Sequence, residues 1–208
     1  MRKNTLILFL AVFFWPVLSL TAQTQKHKLP KQDVCLSGEI QKQELVLTLG
    51  ARSLLVEDFS AGCPPAGWTI IGAGQSNWQS SSTNNAGGSP PEAMFTWTPN
   101  FTGNSKLASV PVNTEGMESL VLEFSHMVDD YSGDYTLKVE TSADGTNWNV
   151  VWSENITGNI DPETLNLLID NGDVGSAEFM IAFTYDGNSF NINQWYIDDV
   201  ILAEAMNN

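Results

Sequence analysis

From Leu45 to Leu202 the sequence breaks into short runs of β-branched and aromatic residues, parted by clusters of Gly, Asn, Asp, Ser and Pro. Runs of that length suit strands and are too short for ordinary helices, so the chain reads as an all-β fold, a sandwich or barrel of antiparallel strands. The runs are Leu45–Leu49, Leu54–Phe59, Trp68–Ile71, Asn77–Ser80, Ala93–Trp97, Lys106–Val110, Ser119–His126, Tyr135–Thr141, Trp148–Glu154, Thr164–Ile169, Glu178–Tyr185 and Trp195–Leu202. Within one of them Tyr135, Leu137, Val139 and Thr141 alternate with Thr136, Lys138 and Glu140, giving one dry and one wet face. Asp144-Gly145 tolerates the positive φ of a tight turn, which predicts a hairpin joining Tyr135–Thr141 to Trp148–Glu154. Ser80–Pro91, "SSSTNNAGGSPP", predicts a long surface loop. No stretch has sustained helical spacing; "PETLNLLID" admits a short helix as the alternative to the strand run Thr164–Ile169.

Residues 1–22 read as a secretory signal peptide: Arg2 and Lys3 precede an apolar run that ends in "SLTAQ". That run is shorter than the roughly 20 residues of a spanning helix, and no second one follows, so no membrane span is expected. Residues 23–50 form an N-terminal arm or linker, 51–204 a single β-sandwich, and 205–208 a tail; this length fits one domain with a sizeable core. Export places Cys35 and Cys63 in an oxidising compartment, where a disulfide between them is expected.

The chain has 24 Asp and Glu against 9 Lys and Arg. Between Glu57 and Leu202 the only basic side chains besides His126 are Lys106 and Lys138, so a phosphate backbone or an anionic lipid surface is a poor partner. Divalent cations suit it better. The last strand, "NQWYIDDVIL", carries Asp198 and Asp199 on opposite faces if it is regular, which drives one carboxylate toward apolar surroundings. With so few cationic side chains on offer, calcium is the expected counter-charge, since it takes six to eight carboxylate, amide and carbonyl oxygens in irregular geometry. Glu57 and Asp58 in the opening strand complete a four-carboxylate site if first and last strands pair, with Asn193, and also Asn188 and Asn191, as further oxygen donors. The cluster Val128–Asp134 lacks EF-hand spacing and reads as a solvated turn.

Catalytic patterns are weak. His126 is the only imidazole in the domain and lies in an apolar run, where a structural role is expected, so the chain reads as a non-enzyme. Trp68, Trp148, Trp152 and Trp195 sit within strand patterns and are expected in the core, whereas Trp78 and Trp97 flank the long loop and are the candidate ligand-binding platform.

Four segments together, "VEDFSAGCPPAGWTIIG", "GNSKLASVPVNTEGMESLVLEFSHM", "VETSADGTNWNVVWSE" and "NQWYIDDVIL", resemble the MAM-like jelly-roll modules of secreted bacterial proteins, the choice-of-anchor J and cleaved-adhesin modules that accompany gingipain-type proteases. The resemblance covers about residues 54–203. It implies a jelly-roll β-sandwich, a structural calcium held by Glu57 or Asp58 and Asp198 or Asp199, and a secreted or cell-surface adhesion role with a glycan or an extracellular or host-surface protein as partner. A carbohydrate-binding module accessory to a secreted hydrolase is the alternative expectation.

Overall fold

The computed structural model describes Ser53–Met206, all within the unit Glu44–Asn208. The segments expected as a signal peptide and an arm, the run Leu45–Leu49 and Cys35 lie outside the described residues. Eleven strands follow in order: β1 (Ser53–Glu57), β2 (Thr69–Gly72), β3 (Trp78–Ser81), β4 (Glu92–Thr96), β5 (Thr102–Ala108), β6 (Leu120–Asp130), β7 (Tyr135–Ser142), β8 (Asn149–Ile156), β9 (Ile160–Ile169), β10 (Met180–Asn188) and β11 (Ile192–Glu204). Single 3-10 turns occupy Gln75–Asn77 and Ser189–Asn191. Among the described residues no helix is long and apolar enough to cross a membrane.

The strands form two antiparallel sheets, a six-stranded one in the order β3-β4-β11-β6-β9 with β1 also on β11, and a five-stranded one in the order β2-β5-β10-β7-β8. They pack as a jelly-roll sandwich. Alternating side chains from both sheets, among them Phe95, Leu122, Phe124, Leu137, Phe183 and Trp195, meet in a single core. Each of these large side chains removes enough apolar surface to contribute roughly 1.5–3 kcal/mol. The Asp144-Gly145 hairpin is present: β7 pairs antiparallel with β8, and Gly145 adopts φ 69°. The Asp144 carboxylate accepts from the Thr146 and Asn147 amides, which holds the turn.

Of the two readings of "PETLNLLID" the strand holds: it is most of β9, because Leu165, Leu167 and Ile169 alternate with exposed Thr164, Asn166 and Leu168, and period two fits a sheet edge paired to β6. One local expectation fails. Val128–Asp134 is not wholly a solvated turn. β6 runs through Asp130, which is buried and accepts a hydrogen bond from the Gly133 amide.

First and last strands do lie side by side, with Val56 opposite Ile201 and Glu57 opposite Val200. β4 pairs with the same edge of β11 further along, from Gln194 to Ile197. β1 and β4 therefore meet end to end along β11, and Asp198 and Asp199 fall at their junction.

Candidate functional site

A β-bulge shapes this junction. Asp198 pairs with Ser125 of β6, but the next paired residue is Ile201, opposite Glu123, and Asp199 takes a positive φ of 50°. Trp195 and Ile197 point between the sheets, and the extra residue returns Val200 and Leu202 to that side, all fully buried. Both aspartates are thereby kept out of the intersheet core, which corrects the expectation of one carboxylate per face.

Asp198 is nonetheless 0% exposed, because the loop between β3 and β4 folds across the outer surface of the six-stranded sheet. Glu92 pins that loop. Its fully buried carboxylate accepts from the Thr83 hydroxyl (2.6 Å) and from the Asn85 and Ala86 amides (2.7 Å each). Gly88, at φ 62°, lies over both aspartates, so that a Cβ there would come within 2.5 Å of Asp198 Oδ2 and 2.7 Å of Asp199 Oδ2. Only glycine admits so close an approach of backbone to carboxylates.

The electrostatics of the junction are unbalanced. Asp198 Oδ1 accepts from the Asp199 amide (2.8 Å), while Oδ2 is buried with no hydrogen-bond partner. Burial, and then the neighbouring charges of Asp199, Glu92 and Asp58, push the Asp198 carboxyl up to about 6. Burial also raises Glu57, whose Oε1 accepts from the Phe59 amide, and hydrogen bonds from Ser60 lower exposed Asp58. Among the described residues no three His, Cys, Asp or Glu side chains are drawn together closely enough to form a metal cluster by themselves.

A second surface feature lies by the start of β11. Trp97, Tyr131 and Phe190 are 39%, 58% and 47% exposed. Phe190 contacts both others edge-on, with ring centroids 5.7 Å from Trp97 and 5.4 Å from Tyr131.

No family model matches the chain, and no curated protein matches it. Solved structures do. The sandwich is similar to the K3 cleaved adhesin domain of Lys-gingipain from Porphyromonas gingivalis W83, with TM-score 0.53 and 20% identity over 74% of this chain and 98% of that one. It is likewise similar to the K1 domain of the same protein, with TM-score 0.55 and 17% identity over 72% and 97% of the two chains. These cleaved adhesin domains share its fold. TmCBM61, solved in complex with β-1,4-galactotriose, shares it, with TM-score 0.52 and 19% identity over 74% and 99%. At such identities the likeness is one of fold, and the site's chemistry rests on this chain's own side chains.

On that fold the expected site residues separate. Asp198 and Asp199 lie together under Gly88, Asp58 is near enough for its charge to act on Asp198, and Glu57 sits beside Asp199 in the β1–β11 ladder. Glu92 joins them and was missed; a lone Glu in the run "PPEAMF" with no cationic partner carried the same signal as Asp198. Asn193 does not join. It lies five residues along the strand, about 16 Å away at 3.3 Å per residue, and its amide donates to Asp129 Oδ1 (3.2 Å). Trp78 is no platform: it is 3% exposed, donates Nε1 to Ser105 Oγ (3.1 Å) and packs on Phe95 and Trp195, because as the first residue of β3 it pairs with inward-facing Phe95. Trp97 stays exposed because β4 ends at Thr96. Cys63 packs against the core, and burial pushes its thiol up to about 12; its expected partner Cys35 is outside the described residues.

His126 is structural. Nδ1 accepts from Trp195 Nε1 (3.3 Å), which leaves the proton on Nε2, facing Glu163 Oε1 (3.3 Å). Desolvation lowers its pKa, with Glu163 opposing, so both ring nitrogens are engaged in the neutral form.

Proposed function

We propose that this chain is a non-catalytic, exported adhesion or ligand-binding module whose sandwich is fastened by calcium where β1, β4 and β11 meet. One observation carries the reading: Asp198 Oδ2 is fully buried, has no partner and is crowded by other carboxylates, under a glycine that leaves no room for a side chain. A native fold does not leave a charged oxygen in that state without a counter-charge, and the described residues hold only two lysines, each committed elsewhere. Asp198 and Asp199 would hold the ion, with Asp58 and Glu92 contributing negative potential and carbonyls of the covering loop as further hard oxygens. The ion would supply charge neutralisation and a cross-link between the two ends of the domain.

The absence of a free imidazole in the domain supports a non-catalytic role, since His126 is engaged at both nitrogens. A carbohydrate-binding role is the second reading, favoured by the exposed aromatic cluster, because sugar rings pack on aromatic faces. Thermal unfolding of the mature chain in 1 mM calcium and in EGTA tests the leading reading. Calcium is expected to raise Tm, since a ligand bound by the folded state alone must stabilise it. Equal melting temperatures would refute the ion.

A further inference from the structure

We propose that the cluster Trp97, Tyr131 and Phe190 docks a cationic segment, rich in Lys or Arg, of a partner protein. This rests on the ligand-binding reading above and names the ligand's chemistry. The three rings come from three separate connections, β4–β5, β6–β7 and β10–β11, and leave much of their apolar surface in water. Exposed aromatics that touch one another mark a contact surface.

The cluster is held rigid by main-chain bonds. Buried Ser189 donates its hydroxyl to the Trp97 carbonyl (2.9 Å) and accepts from the Phe101 amide (2.9 Å), while its own amide donates to the Phe101 carbonyl. The Tyr131 and Ser132 amides both donate to the Asn191 carbonyl, and the Phe190 amide donates to Asn188 Oδ1. Three loops are thus tied to one another beneath the rings, which lowers the ordering cost of binding.

Ring orientation and charge select the ligand. Phe190 stands at 87° to Trp97 and 80° to Tyr131, so the rings form an angular surface and not one flat platform. Faces turned in different directions suit a compact cation better than the broad C–H face of a sugar ring, which packs on one flat platform. The same end carries acidic surface: half-buried Asp129 lies two residues before Tyr131 and Asp134 is exposed in the same loop, while Asp130 is buried. Lys138 is paired with Asp186 (2.7 Å) and Lys106 with Glu140, so among the described residues no lysine is left to meet an anionic ligand. A basic partner is therefore drawn in and an acidic one repelled.

The test uses the mature chain, residues 23–208, in 1 mM calcium. A fluorescent decapeptide of alternating Gly and Arg, its Glu counterpart and galactotriose are titrated against the native chain, Trp97→Ala and Tyr131→Ala, each checked for native near-UV dichroism. The Arg peptide is expected to bind, to weaken with salt, and to weaken about five- to tenfold in each variant, as for loss of an aromatic anchor; the Glu peptide is expected not to bind. Equal Arg-peptide binding by native chain and both variants would reduce the effect to adsorption on an acidic surface and overturn the proposal. Saccharide binding that depends on Trp97 without peptide binding would overturn the ligand class, as would no binding at all. Tyr131, the most exposed ring, keeps the test decisive if Trp97→Ala misfolds. A calcium-dependent rise in Tm in the same samples would leave the module reading standing when the cationic ligand fails.

Discussion

Replacing Asp198 with Asn should stabilise the protein without calcium and remove its response to calcium. The folded carboxyl sits near 6 against an ordinary 3.8, about two units, and each unit is worth about 1.4 kcal/mol. Because the folded-state pKa is the higher one, the folded chain holds the proton more tightly, and the penalty is present at pH 7 and disappears as pH falls through 6 toward 4. Its ceiling is about 3 kcal/mol; about 2 kcal/mol is expected after local relaxation, or roughly 4–8 °C in Tm for a domain of this size. Asparagine keeps the shape, loses the charge and can offer its amide to Asp199. The native chain should gain about 3–4 kcal/mol at calcium concentrations between about 100 and 1,000 times Kd, and the variant little. The order of stability therefore reverses: variant above native in EGTA, native above variant in calcium. Differential scanning calorimetry at pH 7 reads both. A variant less stable than native in EGTA, or one with an undiminished calcium response, would refute the view of Asp198 as an uncompensated buried charge.

Trp78→Ala should cost about 3–5 kcal/mol in urea unfolding, since it empties a core site, whereas Trp97→Ala should cost less than about 1 kcal/mol. Lys106→Met should cost about 3–5 kcal/mol, because it strands the buried Glu140 carboxylate, and adding Glu140→Gln should recover most of that loss, as measured by the same unfolding curves. His126 has a folded-state pKa below its ordinary 6.5, so the stability it contributes is present above that pH and is lost as pH falls through 6.5. Melting curves between pH 7.5 and 6.0, run in the Asp198→Asn background to remove the opposing carboxylate, should show that loss, and His126→Gln should flatten it.

The strands were legible because their side chains alternate and their turns carry residues suited to positive φ; β7, the Asp144-Gly145 turn and β8 follow from sequence almost unaided. The boundaries that shifted did so where pairing overrode local preference. β5 begins at Thr102, not Lys106, because "TGNS" has little strand propensity of its own but lies against β10 from Asn188 to Tyr185. β9 begins at Ile160, not Thr164, for the same reason: β6 offered it a ladder.

The candidate site was half legible, and the division follows the physics of each residue. Asp198 stood out because a carboxylate in an apolar run with no cationic partner demands a counter-charge, an argument that needs no geometry. Glu92 met the same criterion but lies more than a hundred residues away in sequence, and only the shared edge of β11 brings it close. Asn193 failed because nearness in sequence is distance along a strand. The aromatic cluster has no sequence signature, since Trp97, Tyr131 and Phe190 sit on three loops joined by hydrogen bonds to Ser189 and Asn191. The bulge is the decisive case. Strict alternation from Trp195 and Ile197 would send Asp199 into the core and leave Asp198 outside it; one extra residue at φ 50° moves Val200 and Leu202 inward instead and gathers both carboxylates beneath Gly88. Deleting Asp199 would give a regular strand that still turns Val200 and Leu202 inward but holds one carboxylate in place of two, so the bulge serves the carboxylate pair and not the packing of the last strand.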